Sequence, residues 1–352
     1  MNIIRNLCMN GITMSFSKAS LIILFIMTLP FSLAAQKTLV YSDHQPLEGM
    51  RTKFLNEVFF PAIERESGGR LKIEAHWDGE LAIAYKALGA VSDGSVDIST
   101  VVPEYTAKEL PLHQIFKSFP VGPSGADQVA MFRKIYEEVP QFTEEFNQNN
   151  IVPIFLGTGY PVGFFSREPM ENLDQLAGNK WRSASFWHLA FLENLGAVPV
   201  RMHWGNEIYE ALKNKELDGI MVNVDSGYDL KVYEHAPYIL ASKDLWLGHL
   251  YPVAINKNTW EALDKQDQEA IQRAAVYAYK SLGKVMDKSF KAQMKTLKQE
   301  GATVRYLTKK EVEAFKVKTK YMQEQDRWAK EQQEAVPNVI EVMQAVRKII
   351  GE

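Results

Sequence analysis

Between residues 71 and 222 the hydrophobic period of the chain switches repeatedly from two to about 3.6 and back. LKIEAHW (71–77) alternates Leu71, Ile73, Ala75 and Trp77, the pattern of a strand with one face buried. A helical stretch follows at 83–92, then a strand DISTVV (97–102). Helices at 126–138 and 140–148 precede a strand IVPIFLG (151–157). The pattern resumes with strand KWRS (180–183), helix 187–195, strand AVPVRM (197–202), helix 206–214 and strand LDGIMV (217–222). Strands that alternate with helices cannot pair by short hairpins. The chain is therefore predicted to be α/β, with mainly parallel sheets covered by helices.

The flanks extend this pattern. TLVYS (38–42) is a strand, and a helix starts near Arg51 with Phe54, Leu55, Val58, Phe59, Ala62 and Ile63 on one face. Pro61 should kink it or end its first segment, and Gly68-Gly69 should stop it. The apolar stretch 238–256 holds too many strand formers for a helix and reads as one or two extended strands crossing between lobes. Beyond it, 259–299 reads as one long helix interrupted only by Gly283, followed by strand ATVRYL (302–307). A second long helix is expected over 308–335, and a short one over 339–350 after Pro337. The apolar spacing of these charged helices does not hold a heptad. ALGAVSDGSVDIST (87–100) and YEALKNKELDGIMV (209–222) echo each other as helix, polar turn, aspartate and strand, as two lobes of similar build or chance would produce.

The first 35 residues stand apart. LIILFIMTLPFSL (21–33) is apolar, Arg5 and Lys18 precede it, and Ser32, Ala34 and Ala35 follow. This is the layout of a secretory signal, expected to be cleaved after Ala34 or Ala35, with Met1 or Met14 as the start. The run is shorter than the about 20 residues a membrane helix needs. The single cysteine, Cys8, lies in that leader, so the mature chain is expected to have neither disulfide nor cysteine metal site. A mature chain of roughly 315 residues buries about three quarters of its surface and can rely on its core, and its size suggests two lobes. With 40 basic against 43 acidic residues, interspersed, nucleic acid is not an expected partner.

Few motifs promise chemistry. GTGYPVG (157–163) follows a strand, but its third glycine is one residue late for a dinucleotide fingerprint, so it reads as a bend between lobes. GPSGA (122–126) lacks the spacing of a nucleophile elbow. The seven histidines are scattered without metal spacing, and no catalytic group, metal or cofactor is expected. Trp181-Arg182 is different, because a loop there turns into a strand that reads as buried. A salt bridge to Glu80, Asp218 or another acid would explain the arginine. So would a cleft-facing guanidinium, whose two parallel donors match a carboxylate.

The span from Pro169 to Gly219 tips that balance. Pro169, NLDQLAGNKWR with Lys180 and Arg182, LGAVPV (195–200), EIYEAL (207–212) and DG (218–219) follow one another at characteristic spacing. SGGRLKIEAHWDGEL (67–81), DGSVDI (93–98) and NKNTWEAL (256–263) add to them. Together they resemble the DctP-type solute-binding proteins of tripartite ATP-independent periplasmic (TRAP) transporters, over nearly the whole mature chain. The resemblance implies the two-lobed periplasmic binding protein fold, with crossing strands between lobes and long C-terminal helices. It places Arg182 where the family grips a carboxylate, Trp204 where an aromatic packs on the ligand, and Tyr105 and Ser185 in the cleft lining.

One departure concerns the family's ligand-reaching asparagine. Here it stands one place late, at Asn223, and a one-residue shift on a strand reverses the side chain. Asp225 is its rival. Val162 and Gly163 replace the arginine of sialic-acid binders.

The implied function is an extracytoplasmic, non-catalytic receptor in the periplasm that delivers a small organic acid to a TRAP permease. One arginine favours a monocarboxylate or sugar acid. Lobe I is expected over 36–158 and about 248–290, and lobe II over 159–247 and about 291–352. A homodimer through the C-terminal helices stays open. The rivals are a binding protein for another transporter or a membrane sensor, and a periplasmic hydrolase or lyase.

Overall fold

The computed structural model describes residues 36–246 and 248–352. The expected signal, its cleavage position and Cys8 lie outside the described residues. Eleven strands are present among those residues: β1 Lys37–Ser42, β2 Leu71–His76, β3 Ile98–Thr100, β4 Ile151–Thr158, β5 Val162–Ser166, β6 Lys180–Ser183, β7 Val198–Arg201, β8 Gly219–Asn223, β9 Tyr238–Ala241, β10 Leu250–Asn256 and β11 Thr303–Tyr306. They form two sheets, of order β2-β1-β3-β10-β4 and β11-β9-β5-β8-β6-β7. Each sheet is parallel except for one strand. β10 runs against β3 and β4, and β5 runs against β8 and β9.

Those two odd strands arrive from the other sheet. β4 of the first sheet leads through residues 159–161 into β5 of the second, and β9 of the second leads through 242–249 into β10 of the first. A strand that comes straight across, without a helix to turn it around, points opposite to the strands delivered by βαβ crossovers. The stretch 238–256 is thus two crossing strands. The glycines of GTGYPVG serve close packing at this crossing: a Cβ on Gly157 would lie 2.8 Å from the Tyr251 carbonyl oxygen of the paired strand.

The sheets also share a plan. Read from one edge, β2-β1-β3-β10-β4 matches β7-β6-β8-β5-β9 in strand direction, with the crossing strand fourth in each. The echoing segments 87–100 and 209–222 end in β3 and β8, which hold equivalent third places.

The helices depart from expectation at three points. The first runs from Met50 through Glu66 despite Pro61, because the turn Leu55–Phe59 widens to a π-helix. The Phe60 amide then bonds back to the Leu55 carbonyl, which accommodates the missing proline N–H in the next turn. The expected helix 259–299 is two, Lys257–Glu261 and Lys265–Gln299, because Asp264 caps a new start by accepting from the Asp267 amide. The expected helix 308–335 is also two, Lys309–Lys318 and Tyr321–Gln332, parted at Lys320 with a positive φ of 50°.

The helix Lys265–Gln299 stitches the structure. Tyr279 stacks on Phe155 at 4.6 Å and its hydroxyl accepts from the Leu156 amide of β4. Gly283 lies where the helix Gly125–Glu138 crosses, since a Cβ there would approach the Ala126 backbone to 2.5 Å. The C-terminal helices cover the second sheet: Phe315 meets Phe164 of β5 edge-on at 5.6 Å, and Trp328 packs on Trp187 at 5.3 Å.

Candidate functional site

In open α/β sheets, loops leaving the carboxyl ends of parallel strands converge on a crevice. Both sheets do this here. The segments after β1, β3, β6, β7 and β8 supply His44 and Gln45, Glu104 and Tyr105, Ala184, Trp204, and Ser226 to the walls of one cleft. Its main space measures about 470 Å3, counting the part open to solvent. A neighbouring space of about 400 Å3 is bounded by Arg51, Asp225 and Asp229.

Arg182 lies on β6 and is 2 % exposed, yet it lines the main space. Its Nε and Nη2 donate to the Met202 carbonyl at 3.1 and 2.8 Å, and its guanidinium carbon is 5.6 Å from the centre of the Trp204 ring. Burial lowers its pKa, opposed by the nearby Tyr105 and Glu104. No ion pair to Arg182 occurs among the described residues. The acids considered as partners are engaged elsewhere, Glu80 with His76 at 3.1 Å and Asp218 as acceptor of the Lys180 amide at 2.8 Å. The salt-bridge explanation of Trp181-Arg182 therefore fails, and Trp181 is a core residue packed edge-on against Phe164.

The other cations at the site are neutralised. Arg51 and Asp43 form a two-pronged pair, with Nη1 to Oδ2 at 2.5 Å and Nη2 to Oδ1 at 2.9 Å. Burial would raise the Asp43 carboxyl, but the Arg51 guanidinium holds it well below the usual range. The buried Lys117 pairs with the half-buried Glu104 at 2.8 Å. Burial also lowers the pKa of His44 to about 4, so that ring is neutral at pH 7.

The expected residues are placed as follows. Trp204, Tyr105 and Asn223 line the main space with Arg182. Asn223 ends β8, and the helix Val224–Asp229 begins immediately after it, so the strand's alternation no longer dictates its direction. Its amide donates to the Tyr160 carbonyl at 2.5 Å, and the residue borders both spaces. Asp225 borders only the second space. Ser185 starts the helix Phe186–Asn194 and is buried; Ser183 and Ala184, not Ser185, line the cleft.

Sequence reasoning missed His44, Gln45, Glu104, Tyr85 and Tyr251. The first three sit just past β1 and β3, a position that the strand assignments could have flagged. Tyr85 is farther-reaching: it stacks with Tyr105 at 4.2 Å, and its hydroxyl meets His203 Nδ1 at 2.9 Å and the Trp204 amide at 3.3 Å. It thereby ties the approach to β3 to the segment after β7, across the cleft.

Two sheets of shared plan, two direct crossings and a polar recess at the strand ends define the class of two-lobed ligand-capturing receptors. The chain belongs to the bacterial extracellular solute-binding protein family 7, whose model matches residues 42–330. It is 24% identical over 259 residues to a solute-binding protein of Chromohalobacter salexigens, covering 70% of this chain and 73% of that one. It is 24% identical over 305 residues to the ectoine-binding periplasmic protein TeaA of Halomonas elongata, covering 82% and 85%. Among solved structures, a TRAP solute-binding protein of Rhodoferax ferrireducens in complex with copurified benzoate superimposes with a TM-score of 0.77 at 20% identity, covering 90% of this chain and 98% of that one.

Proposed function

We propose that this receptor encloses a small organic acid bearing one carboxylate, a sugar acid included, and delivers it to a TRAP-type membrane permease without altering it. The lobes that close on the acid comprise 36–158 with about 248–290, and 159–247 with about 291–352. Arg182, Asn223, Trp204, Tyr105 and Asp225 contact the ligand. The periplasm is the place of work, reached through the leader. TeaA, named for ectoine, and the benzoate complex lend the acid class support.

The observation that carries the reading is Arg182: a buried guanidinium at a cleft wall, pre-oriented by the Met202 carbonyl, with no ion pair to a carboxylate among the described residues. Each charge-assisted bond to a ligand carboxylate is worth about 1.5–3 kcal/mol. A guest acid bridging both lobes favours closure by its differential affinity for the closed state. A thermal-shift screen of organic acids identifies a ligand, and calorimetry then compares variants. Arg182→Ala should abolish binding, and Arg182→Lys should weaken it about tenfold or more, because an ammonium cannot make the two-pronged contact. Unchanged affinity in both variants overturns the assignment.

A further inference from the structure

The two spaces of the cleft share His44, Gln45, Asn223, Ser226 and Tyr251 in their walls, so they are adjoining parts of one recess. Its charges do not cancel evenly. Glu104 is satisfied by Lys117 and Arg51 by Asp43. Arg182 is left in the wall of the first space, and Asp225 with Asp229 in the wall of the second. Neither aspartate forms an ion pair among the described residues. Asp229 is exposed, whereas Asp225 Oδ1 touches no solvent and has no hydrogen-bond partner. A carboxylate oxygen kept dry without a donor is costly. The recess is therefore dipolar, positive in one part and negative in the other.

We infer that the ligand is a zwitterion, with its carboxylate at Arg182 and a cationic, hydrogen-bond-donating nitrogen at Asp225. Asp229 adds negative potential beside that nitrogen. This deepens the acid-receptor reading and rests on it. A nitrogen-free acid could offer Asp225 at most a neutral hydroxyl and no charge to match, and a dicarboxylate would set a second anion against two aspartates, an arrangement that like-charge repulsion disfavours.

The test uses the mature chain and a panel of cyclic amino acids, betaines and amidine acids, each matched to a nitrogen-free analogue; proline with cyclopentanecarboxylate and pipecolate with cyclohexanecarboxylate are two such pairs. Zwitterions are expected to raise the melting temperature more than their analogues. Calorimetry with the tightest zwitterion should show at least a tenfold loss on Asp225→Asn and loss of binding on Arg182→Ala. Because Asp225→Asn removes a charge that burial disfavours and that forms no ion pair among the described residues, its ligand-free melting temperature should not fall, which separates lost recognition from lost folding. Nitrogen-free acids binding as tightly as their partners, with Asp225→Asn neutral, would overturn the zwitterion while leaving the acid receptor standing. Binding by neither kind of acid, or zwitterion binding that survives Arg182→Ala, would overturn both.

Discussion

Arg51 and Arg182 are both buried arginines beside the same recess, but their surroundings give them opposite energetics. Arg51 compensates the buried Asp43, and breaking such a pair from one side costs about 3–5 kcal/mol, because the remaining charge is stranded. Arg182 has no counter-ion among the described residues, so its removal strands no charge and only takes the donor from the Met202 carbonyl, while its own charge is a burden on the ligand-free protein. Urea unfolding should therefore show Arg51→Met losing about 3 kcal/mol or more, and Arg182→Met staying within about 1 kcal/mol of wild type. Equal losses would mean that Arg182 is structural. Asp225 carries a related burden. Burial, then the neighbouring Asp229 charge, raises its pKa to about 7, against about 3.9 for an unfolded aspartate. The folded state thus binds more protons than the unfolded state between those values, and stability drains away as pH rises from about 4 to about 7. Melting curves of the ligand-free protein should show wild type falling relative to Asp225→Asn over that window, with the gap constant above it.

At the level of elements, Gly283 is a contest between propensity and contact. Alanine in mid-helix is favoured over glycine by about 1 kcal/mol, whereas overpacking costs about 1–3 kcal/mol. Here the added methyl would press on backbone atoms of Ala126, which cannot swing aside as a side chain can. Contact should win, and Gly283→Ala should lower the melting temperature; a rise would show that the two helices slide apart freely. Gly283 looked like a flaw in a long helix when read from sequence, and its reason became visible only with the crossing helix in place. The same limit explains the other misses. Period and turn residues revealed nearly every strand, and the bend at 159–161, because those signals are local. Asp264 could have been read as a cap from its own side chain. Lys320 carries no local signal for a left-handed residue, so the break there was invisible. Within the site, Arg182 stood out by its own chemistry, whereas Trp204 and Tyr105 were legible only through the family resemblance. The pairs Asp43–Arg51 and Glu104–Lys117 were not, because which acid meets which base depends on how separate elements pack.

For the whole molecule, Tyr85 joins the approach to β3 to the segment after β7 by two polar contacts through one hydroxyl. Tyr85→Phe keeps the ring against Tyr105 and deletes both bonds, each worth about 0.5–1.5 kcal/mol. Ligand affinity should drop about fivefold to a hundredfold, chiefly through faster release, as stopped-flow would show. An unchanged release rate would mean that this contact plays no part in holding the lobes shut.

The antiparallel insertion of β10 has a consequence for biosynthesis. β4 touches its sheet only through β10, so that strand, although made early, has no seat in the first sheet until residue 256 has emerged. The first sheet thus stays incomplete until long after its other four strands have been made, and such distant pairing makes for slow folding. A chain with this topology stays unfinished through most of its synthesis, because a strand made before residue 160 waits for a partner some ninety residues further on.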